Sequence, residues 1–136
     1  MKATVNWLHD DIFIGQSESG HLISLDADQG KTAPSPLENM LLSLGSCASV
    51  DVVTILKKAK QRITGCKVIL TAERVDTIPK LFKTIHLQFY INGHDINDKH
   101  VSRAVSLSTD KYCSVIKMLE ATVNISHSYQ ITADES

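Results

Sequence analysis

The chain of 136 residues has the length of one domain, and its 43% hydrophobic and 21% charged residues are ordinary for a folded soluble protein. A net charge of -1 gives no electrostatic reason to expect a nucleic acid or an anionic membrane as a partner. The length therefore predicts a single domain over residues 1–136. An N-terminus without a continuous apolar run indicates no signal peptide, and three cysteines, an odd number, favour the reducing cytoplasm over a disulfide framework.

The first quarter of the chain has the pattern of short strands, over residues 2–8, 12–15 and 21–26. A polar loop then leads into one long helix over residues 35–62. Ser35 is a suitable N-cap, Pro36 suits the first helical position, and Glu38 is placed to complete a capping box.

This helix is apolar on nearly every side, although Glu38, Ser43, Ser46 and Asp51 interrupt the run and argue against a membrane span. A helix that is apolar all round must be buried all round. We therefore expect a long buried central helix, covered in part by a second copy in an obligate homodimer.

The rest of the chain completes an α+β pattern. Gly65 is expected to stop the helix, and Leu81, Ile85, Leu87, Phe89 and Ile91 are expected to share one face of a strand. The further predicted elements are strands over 66–75 and 81–91, helices over 97–108 and after 109–110, and a strand over 121–132, with a loose tail over 133–136. This order predicts antiparallel sheets wrapped around the helix rather than a series of βαβ crossovers.

Cys47 and Cys113 are the candidate reactive residues. Cys47 lies in the middle of the long helix, so it is either a small buried hydrophobe or a thiol reached past Gly45. Cys113 is expected in the first turn of a helix after a cap at 109–110, where backbone N–H groups favour thiolate. Cys66 is interpreted as structural, and the cysteine and histidine spacings predict no metal site.

Glu38 has two interpretations. As a capping-box acid it is fully explained, whereas as a catalytic acid it should lie near a thiol. Nine residues of an ideal helix separate it from Cys47, so the two side chains of one chain point in opposite directions.

Two blocks, APSPLENMLLSLGSCASVDVV at residues 33–53 and DKYCSVIKML at 110–119, together resemble the OsmC/Ohr family of thiol-dependent peroxide reductases. The first block is similar to the family's cysteine-bearing helix and the second to its later cysteine near the start of a helix. Within the family, the Gly-Ser-Cys-x-Ser-x-Asp-Val core resembles the YhfA-like branch.

The resemblance implies an intertwined homodimer with active sites at its interface. It implies that Cys47 is peroxidatic, attacking an organic hydroperoxide, and that Cys113 is resolving, closing a disulfide that a lipoyl-type dithiol would reduce. The dithiol is a reducing partner, and no cofactor is implied.

The sequence departs from the family pattern around the expected site. Leu37 stands where the family has its glutamate, with Glu38 one place later, and no arginine precedes the long helix. Lys31 and His21 are the candidate substitutes for that cation. The alternative function is therefore a non-enzymatic dimer that binds a hydrophobic small molecule in an interface pocket.

Overall fold

A computed structural model describes residues 1–134, which form two compact units divided between Leu42 and Ser43. The first unit contains three strands, β1 (Ala3–His9), β2 (Ile12–Ser17) and β3 (Leu22–Asp26), joined in sequence order as an antiparallel sheet. The three strands predicted for this part of the chain are thus confirmed.

The long helix, α1, spans Pro36–Lys58 and crosses from the first unit into the second. Its predicted capping box is confirmed: the Ser35 N–H donates to the Glu38 carboxylate at 3.0 Å, and the Glu38 N–H donates to the Ser35 hydroxyl at 3.2 Å. Gly30, at a φ of +71°, passes so close to this carboxylate that a Cβ there would overlap it.

The predicted end of α1 is wrong. The helix ends at Lys58, because Lys60 adopts a left-handed φ of 58° and its N–H donates to the Lys57 carbonyl at 2.9 Å. The Gln61 N–H donates to the Leu56 carbonyl at 2.9 Å, which completes a Schellman motif. Gly65 lies in the following strand.

The second unit holds a three-stranded sheet of β4 (Arg62–Arg74), β5 (Phe82–His94) and β6 (Asn124–Ala133), with β5 in the middle. Strands β4 and β5 are antiparallel, but β5 and β6 are parallel. The expectation of purely antiparallel sheets is therefore wrong for this sheet. Since parallel neighbouring strands require a crossover connection, the expectation that the chain has no crossover is wrong as well.

That crossover consists of α2 (Asp98–Leu107), one π-helical turn (Ser108–Tyr112) and α3 (Ser114–Leu119). Asn97 caps α2 by accepting the Lys99 N–H at 2.9 Å. The predicted cap at 109–110 is wrong. The Thr109 hydroxyl donates to the Val105 carbonyl at 2.9 Å, so this segment extends α2 instead of starting a new helix.

The core of the second unit lies between β5, one face of α1 and one face of α2. Its fully buried side chains follow the period of each element: Ile85, Leu87, Phe89 and Ile91 on β5; Leu44, Ala48, Val52 and Leu56 on α1; Val101 and Ala104 on α2. Gly45 permits the close packing of α1 on β4, because a Cβ there would lie 2.7 Å from Leu70 Cδ1.

The predicted face of β5 is confirmed except at its first residue. Leu81 is 56% exposed, and Phe82 is buried in its place. The β4–β5 register shifts between the pairs Glu73–Thr84 and Arg74–Phe82, so an extra residue on β5 reverses the inward side at this end.

Burial of α1 is one-sided within a single chain. Leu42 is 58% exposed and Val50 is 63% exposed. Among residues 1–134, one helix, α1, is long enough and apolar enough to span a membrane, judged by length and composition alone. Of its most apolar window, 28% is buried within the chain. Core helices of globular proteins pass the same test, so this feature is weak evidence of a membrane span.

Candidate functional site

Cys47 lies on α1 at the edge of the buried stripe. The next residue, Ala48, is fully buried in the core, whereas the Cys47 side chain is half-buried. Asp51 follows one helical turn later on the same side of the helix. The Cys47 side chain is therefore partly accessible to solvent, and its backbone is held in place by a long helix.

Cys113 is positioned by the π-helical turn. Its N–H donates to the Ser108 carbonyl at 2.8 Å, and its extended backbone (φ -70°, ψ 109°) makes it the N-cap residue of α3. The side chain is fully buried. Sequence analysis expected this cysteine within the first turn of a helix, and the structure places it immediately before one.

The fold brings the thiols of Cys47 and Cys113 together, although the two residues are far apart in the sequence. The pKa of the Cys113 thiol is raised to about 11, mainly by burial and in smaller part by a side-chain hydrogen bond and a charge interaction with Cys47. Two free thiols in contact can in principle be joined by oxidation.

The expected thiolate character of Cys113 is wrong. The backbone amides of Ile116 and Val115 do lower the pKa of the Cys113 thiol, as a helix start should. The effect of burial is larger because the charged form loses its hydration. Cys113 is therefore a protonated thiol at neutral pH.

Ser108 links the two cysteine-bearing segments. Its fully buried hydroxyl donates to the Ala48 carbonyl at 2.9 Å and lies 3.4 Å from the Asp51 carboxylate. One side chain thus ties the helix of Cys47 to the turn that holds Cys113. Sequence analysis missed this role, although Ser108 directly follows α2 and continues its apolar stripe at helical spacing, which was a usable signal.

Cys66 lies apart from this pair, on β4 opposite Ile91. Burial raises the pKa of its thiol, and a hydrogen bond with the Ser49 side chain partly offsets that effect. The thiol therefore has a local partner on α1, and its interpretation as a structural residue stays a prediction.

The other residues considered from the sequence have partners within the first unit. Glu38 is held in the capping box, Lys31 forms an ion pair with Asp28 at 2.9 Å, and His21 Nδ1 lies 3.1 Å from the Ser19 hydroxyl. Whether Glu38 also takes part in chemistry stays a prediction.

His86 of β5 has polar partners on β6. His86 Nδ1 lies 2.7 Å from the Ser126 hydroxyl and His86 Nε2 lies 2.8 Å from the Ser128 hydroxyl. In the part of the chain that the structure describes, no group of three or more histidine, cysteine or carboxylate side chains is placed to hold a metal ion.

Comparison with known proteins places these features in context. Residues 28–128 match the family described as OsmC-like protein. The chain is 48% identical over 133 residues to Protein YhfA of Escherichia coli (strain K12), covering 98% of this chain and 99% of that protein.

Solved structures show the same fold. A hypothetical protein from Aquifex aeolicus VF5 superposes with a TM-score of 0.89 at 29% identity, over 98% of this chain and 97% of that one. The organic hydroperoxide resistance protein OhrB of Bacillus subtilis superposes with a TM-score of 0.65 at 16% identity, over 96% of this chain and 98% of that one. The α+β fold, with two sheets and helices, is an OsmC-like fold, and the chain belongs to the OsmC-like protein family.

Proposed function

We propose that the protein reduces organic hydroperoxides with Cys47 and Cys113. The observation that carries this proposal is the contact between the two thiols, which come from a long helix and from a distant crossover turn. Membership of the family suggests a role in stress or peroxide defence. The structural neighbour OhrB, an organic hydroperoxide resistance protein, suggests the substrate class.

The proposed roles of the two cysteines rest on their exposure and on the pKa of Cys113. Cys47 is half-buried and can be reached, so its thiolate is the proposed nucleophile. Cys113 is fully buried and has a pKa of about 11, so it keeps its proton and can donate an S–H hydrogen bond to the Cys47 sulfur. A protonated, hidden thiol suits the resolving role, because it does not compete for the peroxide.

The proposed reaction has three balanced steps. The Cys47 thiolate attacks the terminal oxygen of ROOH, the O–O bond breaks, and a proton completes the alcohol ROH, which leaves sulfenic acid on Cys47. The Cys113 thiol then displaces this hydroxyl as water and forms the Cys47–Cys113 disulfide. A lipoyl-type dithiol reduces the disulfide to two thiols and is itself oxidised to a cyclic disulfide.

A homodimer is part of the proposal. Val5 and Trp7 lie on one face of β1 and are 61% and 68% exposed, Val50 on α1 is 63% exposed, and clusters of exposed large apolar side chains mark interaction surfaces. A second copy of the chain would cover them. Light scattering should report twice the mass of one chain, and a monomer at micromolar concentration would contradict this part.

The reaction is tested with stoichiometric cumene hydroperoxide, followed by peptide mapping without reduction. The wild type and Cys66→Ser should form a Cys47–Cys113 disulfide, Cys47→Ser should form none, and Cys113→Ser should carry a dimedone-reactive sulfenic acid on Cys47. Survival of both thiols in excess peroxide would refute the peroxidase reading. The alternative, a dimer that binds a hydrophobic small molecule without turnover, would then be the better proposal.

Glu38→Gln decides between the two interpretations of Glu38. The amide oxygen can still accept the Ser35 N–H, so the cap is kept while the negative charge is removed. A peroxide rate equal to that of the wild type assigns Glu38 to the cap alone. A rate lost without loss of stability assigns its charge to the chemistry.

A further inference from the structure

A polar cleft lies beside the thiol pair, between the second half of α1, α2 and the π-helical turn. Its volume is about 490 Å³, within the range of small-molecule sites. The side chains that give it chemical character are Asp51, Lys58, Arg103 and Tyr112. Neither Cys47 nor Cys113 lines it, although Asp51 is one turn from Cys47 and Tyr112 directly precedes Cys113.

Two cations in this cleft have no partner within the described chain. Across residues 1–134, no hydrogen bond or ion pair engages the side chain of Lys58 or Arg103, whereas Lys31, Arg62 and Lys117 each have a carboxylate within 3.2 Å. An arginine and a lysine that line one concave surface without an ion-pair partner can together bind an anion.

Asp51 does not neutralise these two charges. Its carboxylate lies 3.4 Å from the Ser108 hydroxyl, and no ion pair within 4.0 Å joins it to Arg103 or Lys58. Counting one negative and two positive side chains, the cleft carries a net positive charge. Asp51 instead marks one side where a ligand should present a hydrogen-bond donor.

The C-terminal end of α1 also borders the cleft, and a helix C-terminus disfavours anions. Here the carbonyls of Leu56 and Lys57 are already occupied by the N–H groups of Gln61 and Lys60 in the Schellman motif. Their negative ends are therefore partly compensated, and the two cationic side chains decide the preference of the cleft.

We infer that this cleft binds a small organic anion through a carboxylate or phosphate group held by Arg103 and Lys58. The Tyr112 ring, which is half-exposed, supplies an apolar wall for the body of the ligand. The inference stands apart from the peroxide chemistry, since it uses neither thiol.

Titration with inorganic phosphate and with succinate, followed by chemical shifts of backbone amides, tests the cleft. Both probes are added to wild type, Arg103→Gln and Lys58→Gln, with Lys99→Gln and Lys57→Gln as matched controls from the same helices that do not line the cleft. We expect saturable binding to the wild type and to both controls, weakened about tenfold or more in each cleft variant.

The two probes separate the two sources of the anionic group. Saturation by phosphate alone assigns the cleft to phosphate esters, and saturation by succinate alone assigns it to carboxylates. Failure of both probes to saturate at about 10 mM, or equal weakening in the control variants, would overturn the inference. Circular dichroism of each variant separates loss of binding from loss of folding.

Discussion

Alkylation of Cys113 should be slow and should accelerate steeply with pH. The thiolate is the reactive form of a cysteine. Near neutral pH, the thiolate fraction of a thiol with a pKa of about 11 is about one hundredth of that of a thiol with the ordinary pKa of 9.0. Between about pH 8.5 and 9.5, the thiolate fraction rises about tenfold for the thiol with the pKa of about 11 and about threefold for the thiol with the ordinary pKa. The steepness therefore reports the pKa independently of access.

The assay is a short iodoacetamide pulse on the reduced wild-type protein at several pH values, with the modification of each cysteine measured by peptide mass spectrometry. The same protein in concentrated urea is the matched control, since burial is lost there and Cys113 should show the threefold dependence. A threefold rise for Cys113 in the folded protein would refute the conclusion that burial keeps this thiol protonated.

Three further predictions concern stability, measured by urea unfolding with the fluorescence of Trp7, the one tryptophan of the chain. Ser108→Ala should lose about 1–3 kcal/mol through its buried bond to the Ala48 carbonyl, and an unchanged midpoint would contradict that link. Ser35→Ala should lose about 1 kcal/mol with its cap, and unaltered stability would contradict the cap's contribution. Hydrogen bonds from the Thr32 hydroxyl and nearby amides hold the pKa of Asp26 below its usual 3.8, so its contribution is present above that pH and lost as the pH falls through the folded-state pKa. Asp26→Asn should thus differ from wild type in stability at neutral pH, and this difference should narrow as the pH falls below 3.8; a difference independent of pH would refute this.

Local patterns in the sequence predict much of the fold. The capping box at Ser35 and Glu38, the three N-terminal strands and the inward face of β5 are encoded by neighbouring residues, and the structure confirms them. The predictions fail where the structure depends on pairing between strands that are far apart in the sequence. The parallel partner of β5 cannot be read from alternation, which is the same for either strand direction.

The candidate site shows the same division. The two cysteines stand out in the sequence, and their contact depends on the π-helical turn, for which no simple residue pattern exists. The pKa of Cys113 was predicted with the wrong sign because helix position can be read from sequence while depth of burial cannot. Arg103 was missed since its significance lies in what surrounds it in space.

The parallel pairing of β5 and β6 sets an order of assembly during synthesis. The β4–β5 hairpin can form as soon as both strands have left the ribosome, but β6 follows the crossover of α2, the π-helical turn and α3 and can complete the sheet only after that crossover has been synthesised. Until then β5 is an edge strand, and it carries large apolar residues such as Leu87 and Phe89 that are buried in the finished fold. An apolar edge strand of this kind is a template for aggregation. The nascent chain should be most vulnerable, and most dependent on chaperones, while the crossover between β5 and β6 is being synthesised.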